Sequence, residues 1–156
     1  TMFSVQWHRR QAIMSERAML RQQLGAWAEQ QAAQLMQNHG FQFLAANYHS
    51  RYGELDLILV RDQELVFVEV KARSQTRYAQ AIESISRAKQ GKMLKTAMCF
   101  IQKNPQFAHY YYRFDVICFD FKQQFAKTIQ HDFSQYPYDL EWIENAFTFD
   151  QEFINL

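Results

Sequence analysis

The stretch Glu54-Leu55-Asp56-Leu57-Ile58-Leu59-Val60-Arg61-Asp62-Gln63-Glu64-Leu65-Val66-Phe67-Val68-Glu69-Val70-Lys71 decides the fold. Two apolar runs, Leu57 to Val60 and Leu65 to Val68, flank the polar residues Arg61 to Glu64, a spacing that suits a hairpin loop. Pairing Val60 with Leu65 puts Asp56 opposite Glu69 and Glu54 opposite Lys71. Side chains alternate faces along a strand, so these four residues are expected on one face. Leu55, Leu57 and Leu59 are expected on one face with Val66, Val68 and Val70; Ile58, Val60, Leu65 and Phe67 take the other. Strands that are apolar on both faces are interior strands covered by helices, which predicts an α/β layer arrangement.

Two carboxylates opposed at the end of such a sheet repel each other and resist burial unless a positive charge sits between them. A divalent cation beside the Lys71 ammonium meets that need, and the set then suits phosphodiester hydrolysis. Mg²⁺ takes hard oxygen ligands and keeps several waters, so a few carboxylates suffice. Asp56 and Glu69 are the candidate ligands, with the Val70 backbone carbonyl as a further donor. Lys71 is placed to hold the attacking water or to offset charge on the phosphate. The bland alternative is a pair of edge salt bridges, Glu54 with Lys71 and Asp56 with Arg73 or Arg51. A slip of one residue in the register would separate Asp56 from Glu69.

Outward from the hairpin, Leu20, Leu24, Trp27, Ala28, Ala32, Leu35 and Met36 recur at helical spacing and predict a helix over 11–38, stopped by Gly40. Gly25 weakens that pattern. Residues 41–47 read as a first strand and 48–53 as a loop. After a loop over 74–78, a second helix is predicted over 81–103, with Pro105 beyond its end. Residues 110–119 read as a strand, so strand, helix and strand form a crossover onto the same sheet. Arg113 and Asp115 are expected to form a buried pair that fixes the sheet end. Residues 142–147 read as a short terminal helix. Glu83 reads as a cap or salt-bridge residue.

The chain has 156 residues and a net charge of +1. That length is enough for a core without disulfides. The net charge conceals an asymmetry: residues 71–95 carry seven basic residues against one acidic, whereas residues 115–156 carry two against eight. A basic block next to the acidic hairpin suits a polyanion held over the site. Arg51, Arg73, Arg77, Lys89 and Lys92 are the expected contacts to a nucleic-acid backbone, with a solvated helix face as the alternative for Lys89 and Lys92. No apolar run reaches the roughly 20 residues that span a bilayer, and the first residues lack the pattern of a secretory signal. Cys99 and Cys118, without CxxC spacing, read as buried thiols in a reducing cytoplasm. The five histidines show no metal-ligand spacing. Residues 1–120 are expected to form the core with its N-terminal helix, and residues 121–156 an aromatic, acidic extension packing on the same domain.

Several motifs together carry a resemblance. They are Gly25-Ala26-Trp27-Ala28-Glu29-Gln30-Gln31-Ala32, Gly40-Phe41, Asn47, Arg51, Gly53-Glu54-Leu55-Asp56-Leu57-Ile58, Phe67-Val68-Glu69-Val70-Lys71-Ala72-Arg73, Glu83, Lys89 and Arg113-Phe114-Asp115-Val116. In order and spacing they resemble the YraN-like family of small bacterial uncharacterised proteins. That family is similar to the PD-(D/E)xK nucleases and, among them, the archaeal Holliday-junction resolvases. The resemblance implies a restriction-endonuclease-like fold: a mixed central sheet with a β-hairpin active-site core, flanked by helices. It also implies a catalytic set of Glu29, Asp56, Glu69 and Lys71, with Mg²⁺ or Mn²⁺ held by Asp56, Glu69 and Glu29. Glu29, on the residues alone a solvated helix position, becomes a ligand through this resemblance. Ala28 stands where the family has glycine, and Tyr78-Ala79 where it has Phe-Gly. The expected activity is endonucleolytic cleavage of DNA, including branched or recombination intermediates, by a homodimer. The alternative is a non-catalytic nucleic-acid-binding or protein-interaction module of the same fold.

Overall fold

A computed structural model describes residues 2–74, 81–125 and 132–148, with α1 side chains described from Ser15 onward. Helix α1 (Met2–Asn38) precedes strands β1 (Gln42–Ser50), β2 (Gly53–Arg61) and β3 (Glu64–Ser74). Helix α2 (Arg87–Lys103) leads to β4 (Tyr111–Phe121) and β5 (Tyr138–Ile143). The five strands form one mixed sheet in the order β1-β2-β3-β4-β5. β3 and β4 are parallel and joined through α2, as a crossover requires, while the other neighbours are antiparallel.

Each helix covers one face. Trp27, Ala28, Ala32 and Met36 of α1 pack on Leu57, Leu59, Val66, Val68, Ile117 and Phe119. Met93, Leu94, Ala97 and Phe100 of α2 pack on Ile58, Val60, Leu65, Phe67, Phe114 and Val116. Interior strands with helices on both sides explain why the hairpin is apolar throughout its middle. α1 begins well before position 11 and runs through Gly25, where a Cβ would meet no atom within 4 Å. It ends as expected at Gly40, whose φ of 88° an L side chain rarely adopts. The Phe41 N–H reaches back to the Met36 carbonyl at 3.1 Å. Among the described residues no helix is long and apolar enough to cross a membrane.

The hairpin register is the expected one, with Val60 paired to Leu65 and Leu57 to Val68. Arg61 and Glu64 also pair, so the turn shrinks to Asp62 and Gln63, with Asp62 in the left-handed region at φ 54°. Leu55 departs from the expected alternation. It packs on the α2 face with Ile58 and Val60, whereas Leu57 and Leu59 pack on the α1 face. β2 turns over between Leu55 and Leu57, where Asn47 on β1 takes a left-handed φ of 52° and the ladder to β3 ends.

Three further expectations need correction. The second helix does not start at Ala81: a 3₁₀ turn, Ile82–Ser84, comes first, and extended Ile85 separates it from the Ser86 N-cap. Residues 142–147 are not a helix. Trp142 and Ile143 close β5, and Asn145, at φ 49°, turns the chain back onto β4. Cys118 is buried but Cys99 is only half-buried.

That return is anchored at Asp115, which is fully buried. Its carboxylate accepts two hydrogen bonds from Arg113 (3.0 and 3.1 Å), one from the Trp142 indole (2.9 Å) and one from the Asn145 N–H (2.9 Å). Arg113 also donates to Glu64 at 2.7 Å. The Arg113–Asp115 pair thus fixes the sheet end, as the sequence implies, and gathers β3, β4 and the segment after β5 as well. Asp115→Asn turns at least one amide N–H toward these donors and leaves Arg113 short of its partner. Urea unfolding is expected to show a loss of about 3 kcal/mol, and thermal unfolding a midpoint roughly 10 °C lower. A change under about 0.5 kcal/mol, the size of an ordinary surface substitution, would refute this role.

Candidate metal and phosphodiester site

The β2–β3 ladder stops at Leu57↔Val68, one pair short of Asp56 and Glu69. Beyond it the strands part, and the backbone N–H of Val70 loses a strand partner on that side. Asp56 supplies the replacement: its Oδ2 accepts from the Val70 N–H at 2.8 Å. Asp56 and Glu69 are therefore held at the same sheet end by the hairpin register and by this side-chain substitute for a ladder bond.

Glu69 is 3% exposed. Its Oε1 meets Lys89 Nζ at 2.9 Å and Lys71 Nζ at 3.6 Å. Lys71 comes from the same strand, two residues on; Lys89 comes from the first turn of α2. Ser86 caps that turn, accepting from the Lys89 N–H at 3.1 Å. Glu29 approaches from α1. Asn47, in its left-handed conformation, hydrogen-bonds the Glu29 carboxylate, and the charges of Glu54 and Glu69 are felt there.

The electrostatics follow from crowding. Burial raises the Asp56 pKa, and the neighbouring charges of Glu69 and Glu29 raise it further; the Val70 hydrogen bond and Lys89 oppose them, leaving it at about 7. Glu29 is raised as well, by burial first and then by Glu54 and Glu69, against the Asn47 hydrogen bond. Burial works to lower the Lys89 pKa. Its hydrogen bond to Glu69 and the charges of Glu69, Asp56 and Glu54 outweigh that and raise it. A crowded set of hard carboxylate oxygens, with Asp56 and Glu29 held above their ordinary pKa, is chemically suited to a hard divalent cation. Among the described residues, however, no three of His, Cys, Asp and Glu stand close enough together to hold one as they are placed.

The structure thus brings Glu29, Asp56, Glu69 and Lys71 to one end of the sheet. Among the described residues the alternative salt bridges, Glu54 with Lys71 and Asp56 with Arg73 or Arg51, are not formed: Lys71 stands 3.6 Å from Glu69 and Arg73 is bound to Asp120. Arg73 is not placed as an open backbone contact. In the parallel β3–β4 register it sits beside Asp120, and its guanidinium grips that carboxylate at 2.8 and 2.9 Å. Lys89 lies on the exposed side of α2, yet its ammonium reaches the Glu69 carboxylate at 2.9 Å. Arg51 and Lys92 are exposed near the β1–β2 turn. The Arg51 and Lys95 cations lie 4.8 and 5.3 Å from the Tyr52 ring centre. Arg77 and the Tyr78-Ala79 pair lie outside the described residues.

Sequence reasoning assigned no role to Asn47, Tyr52 or Lys95. Asn47 carried a usable signal, since asparagine is among the few residues that tolerate a left-handed φ. It stands between the pairs Ala46↔Leu57 and Tyr48↔Leu55, hence across from Asp56.

Because the folded protein binds a proton at Asp56 more tightly than the unfolded chain, stability falls as pH rises from about 4 through 7. Asp56→Asn removes that term and keeps an oxygen for the Val70 N–H. In metal-free buffer with chelator, urea unfolding is expected to show wild type losing about 2 kcal/mol more than the variant between pH 5 and pH 8. The variant is expected to be the more stable at pH 8. Parallel pH profiles would remove the crowding argument.

Residues 28–119 match the model of the uncharacterised protein family UPF0102. A UPF0102 protein of Acinetobacter baumannii (strain AYE) is 57% identical over 132 residues, covering 85% of this chain and 99% of that relative. One from Acinetobacter baylyi is 52% identical over 125 residues, covering 80% and 89% of the two chains. A more distant one, from Francisella tularensis subsp. tularensis, is 35% identical over 126 residues, covering 80% and 94%. The matched span holds Glu29, Asp56, Glu69, Lys71 and Lys89, every member of the cluster described above. This chain belongs to the UPF0102, or YraN-like, family.

Proposed function

We propose that this protein is a Mg²⁺- or Mn²⁺-dependent DNA endonuclease with a restriction-endonuclease-like fold. The observation that carries the reading is that Glu29, Asp56, Glu69 and Lys71 lie at the sheet end where β2 and β3 part, with Glu29 and Glu69 acting on Asp56 and Lys71 3.6 Å from Glu69. The layout supports the fold assignment: a mixed sheet, a hairpin bearing the acidic residues and a helix on each face.

In this reading Asp56 and Glu69 hold the cation, with Glu29 as a further ligand directly or through water. When bound, the metal supplies charge stabilisation on the phosphate and a more acidic water. Lys71, 28% exposed at its side chain, keeps its ammonium at the rim of the site. There it orients the attacking water and offsets charge on the phosphate oxygens. Asn47 orients Glu29, and the Val70 N–H orients Asp56. Arg51 and Lys92, with Lys95 beside Tyr52, give the DNA backbone a basic approach. Branched or recombination intermediates are the proposed substrates. Resolving a junction takes two cuts, which calls for a homodimer.

The rival reading is a non-catalytic nucleic-acid-binding or protein-interaction module, and one observation favours it. Lys89 already neutralises Glu69, so the cluster also works as a structural ion-pair network. Labelled four-way junction, flap, single-strand and duplex DNA incubated with Mn²⁺ separate the two. Wild type is expected to cleave at least one substrate. Glu69→Ala is expected to lose cleavage by at least about 100-fold while retaining DNA affinity. Equal cleavage by both proteins would overturn the proposal. Binding without cleavage, with affinity falling steeply as salt is added, would select the nucleic-acid-binding module.

A further inference from the structure

Lys89 of α2 reaches the buried Glu69 carboxylate. Its Nζ donates to Glu69 Oε1 at 2.9 Å, and that side chain is 4% exposed. Lys71 stands 3.6 Å from the same oxygen, so one carboxylate atom serves two ammonium groups. Their settings differ. Lys71 is 28% exposed on a central strand, whereas Lys89 is 45% exposed on the first turn of α2. The Ser86 cap fixes the backbone of Lys89 and leaves its four-carbon stem free to swing. Asp56 and Glu54 also act on the Lys89 charge, so its ammonium lies within the field of several carboxylates.

We propose that Lys89 is the resident counter-ion of the carboxylate cluster and competes with the divalent cation for Glu69. With no metal bound, Lys89 gives the buried Glu69 its closer counter-charge, at 2.9 Å against 3.6 Å for Lys71. A cation held by Asp56 and Glu69 would share Glu69 with the Lys89 ammonium, and like charges at close range repel. Loading the metal therefore requires the Lys89 head group to swing out to solvent, which its half-exposed position allows. The competition accounts for carboxylates that share a field yet do not stand as a closed ligand set. This inference rests on the metal-dependent reading above, but it concerns when the site loads rather than what it cleaves.

Mn²⁺ alone is the probe, followed by electron paramagnetic resonance of the free ion and by the shift of the thermal midpoint on adding Mn²⁺. Without metal, Lys89→Met is expected to melt below wild type, because Glu69 has lost its nearer ammonium and keeps only Lys71 at 3.6 Å. With metal the order of affinity is expected to reverse, the variant binding Mn²⁺ about tenfold more tightly, with the larger upward shift. Lys89→Arg, which keeps the charge, is expected to bind as weakly as wild type. Glu69→Gln is expected to bind least. Lys89→Gln repeats the test should the methionine variant fail to fold. Mn²⁺ binding that is equal in wild type and Lys89→Met, or weaker in the variant, would overturn the competition and leave the metal site standing. No Mn²⁺ binding by any of the proteins would overturn both readings together.

Discussion

A carboxylate stands in for a piece of backbone. Where β2 and β3 separate, the Val70 N–H would otherwise be left without an acceptor, and Asp56 takes the place of the missing carbonyl. A buried, unpaired N–H destabilises by about 1–3 kcal/mol, so this bond holds the parting strands in register as well as orienting the side chain. Everything at that end of the sheet follows from it. The strands open at Leu57↔Val68 and no earlier, Glu69 stays on the α2 side, and the space between the strands is lined by acid groups. The same constraint fixes the charge problem, because an acceptor placed there is necessarily close to Glu69 and within the field of Glu29.

Much of this was readable from residues alone. Alternating and doubly apolar runs mark the two covered strands, and the register set by the loop holds from the turn as far as Leu57↔Val68, where the ladder ends before the expected pairs of Asp56 with Glu69 and Glu54 with Lys71. The helices were visible through their spacing, and the crossover through the order of elements. Other features escaped because they depend on contacts distant in sequence. The face switch at Leu55 needs Asn47 on the neighbouring strand. Arg73 looked like a phosphate contact until the parallel register set it beside Asp120. Lys89 looked like part of a solvated stripe because helical periodicity cannot show which end of a helix faces the sheet opening. Glu29 was legible only through family resemblance, since a half-buried glutamate on an amphipathic helix has no distinguishing local pattern.

The acidic aromatic segment near the C-terminus shows how composition can mislead. Its tryptophan and isoleucine suggested a helix, yet they end an edge strand. Trp142 is held there by its indole N–H, which finds the buried Asp115. Trp27 on α1 does the same with Asp132 at 3.0 Å and packs against Phe119 and Tyr138. In both cases an aromatic body fills the core while its one polar atom finds a partner, a pairing that sequence patterns do not reveal.

The crossover also bears on the order in which the molecule can assemble. β1, β2 and β3 are consecutive hairpin neighbours and can find one another quickly, since few residues lie between them. Taken alone, that three-stranded meander would bring Asp56 and Glu69 together with only Lys71 to offset them. Lys89 arrives with α2, and β4 can pair with β3 only once that helix has crossed the sheet. The charge needed to quiet the acidic end is thus carried by the element whose docking completes the central parallel pair. Electrostatic repulsion in the early meander gives way as the slow, long-range step is made, so closing the sheet and neutralising its acidic end become a single event.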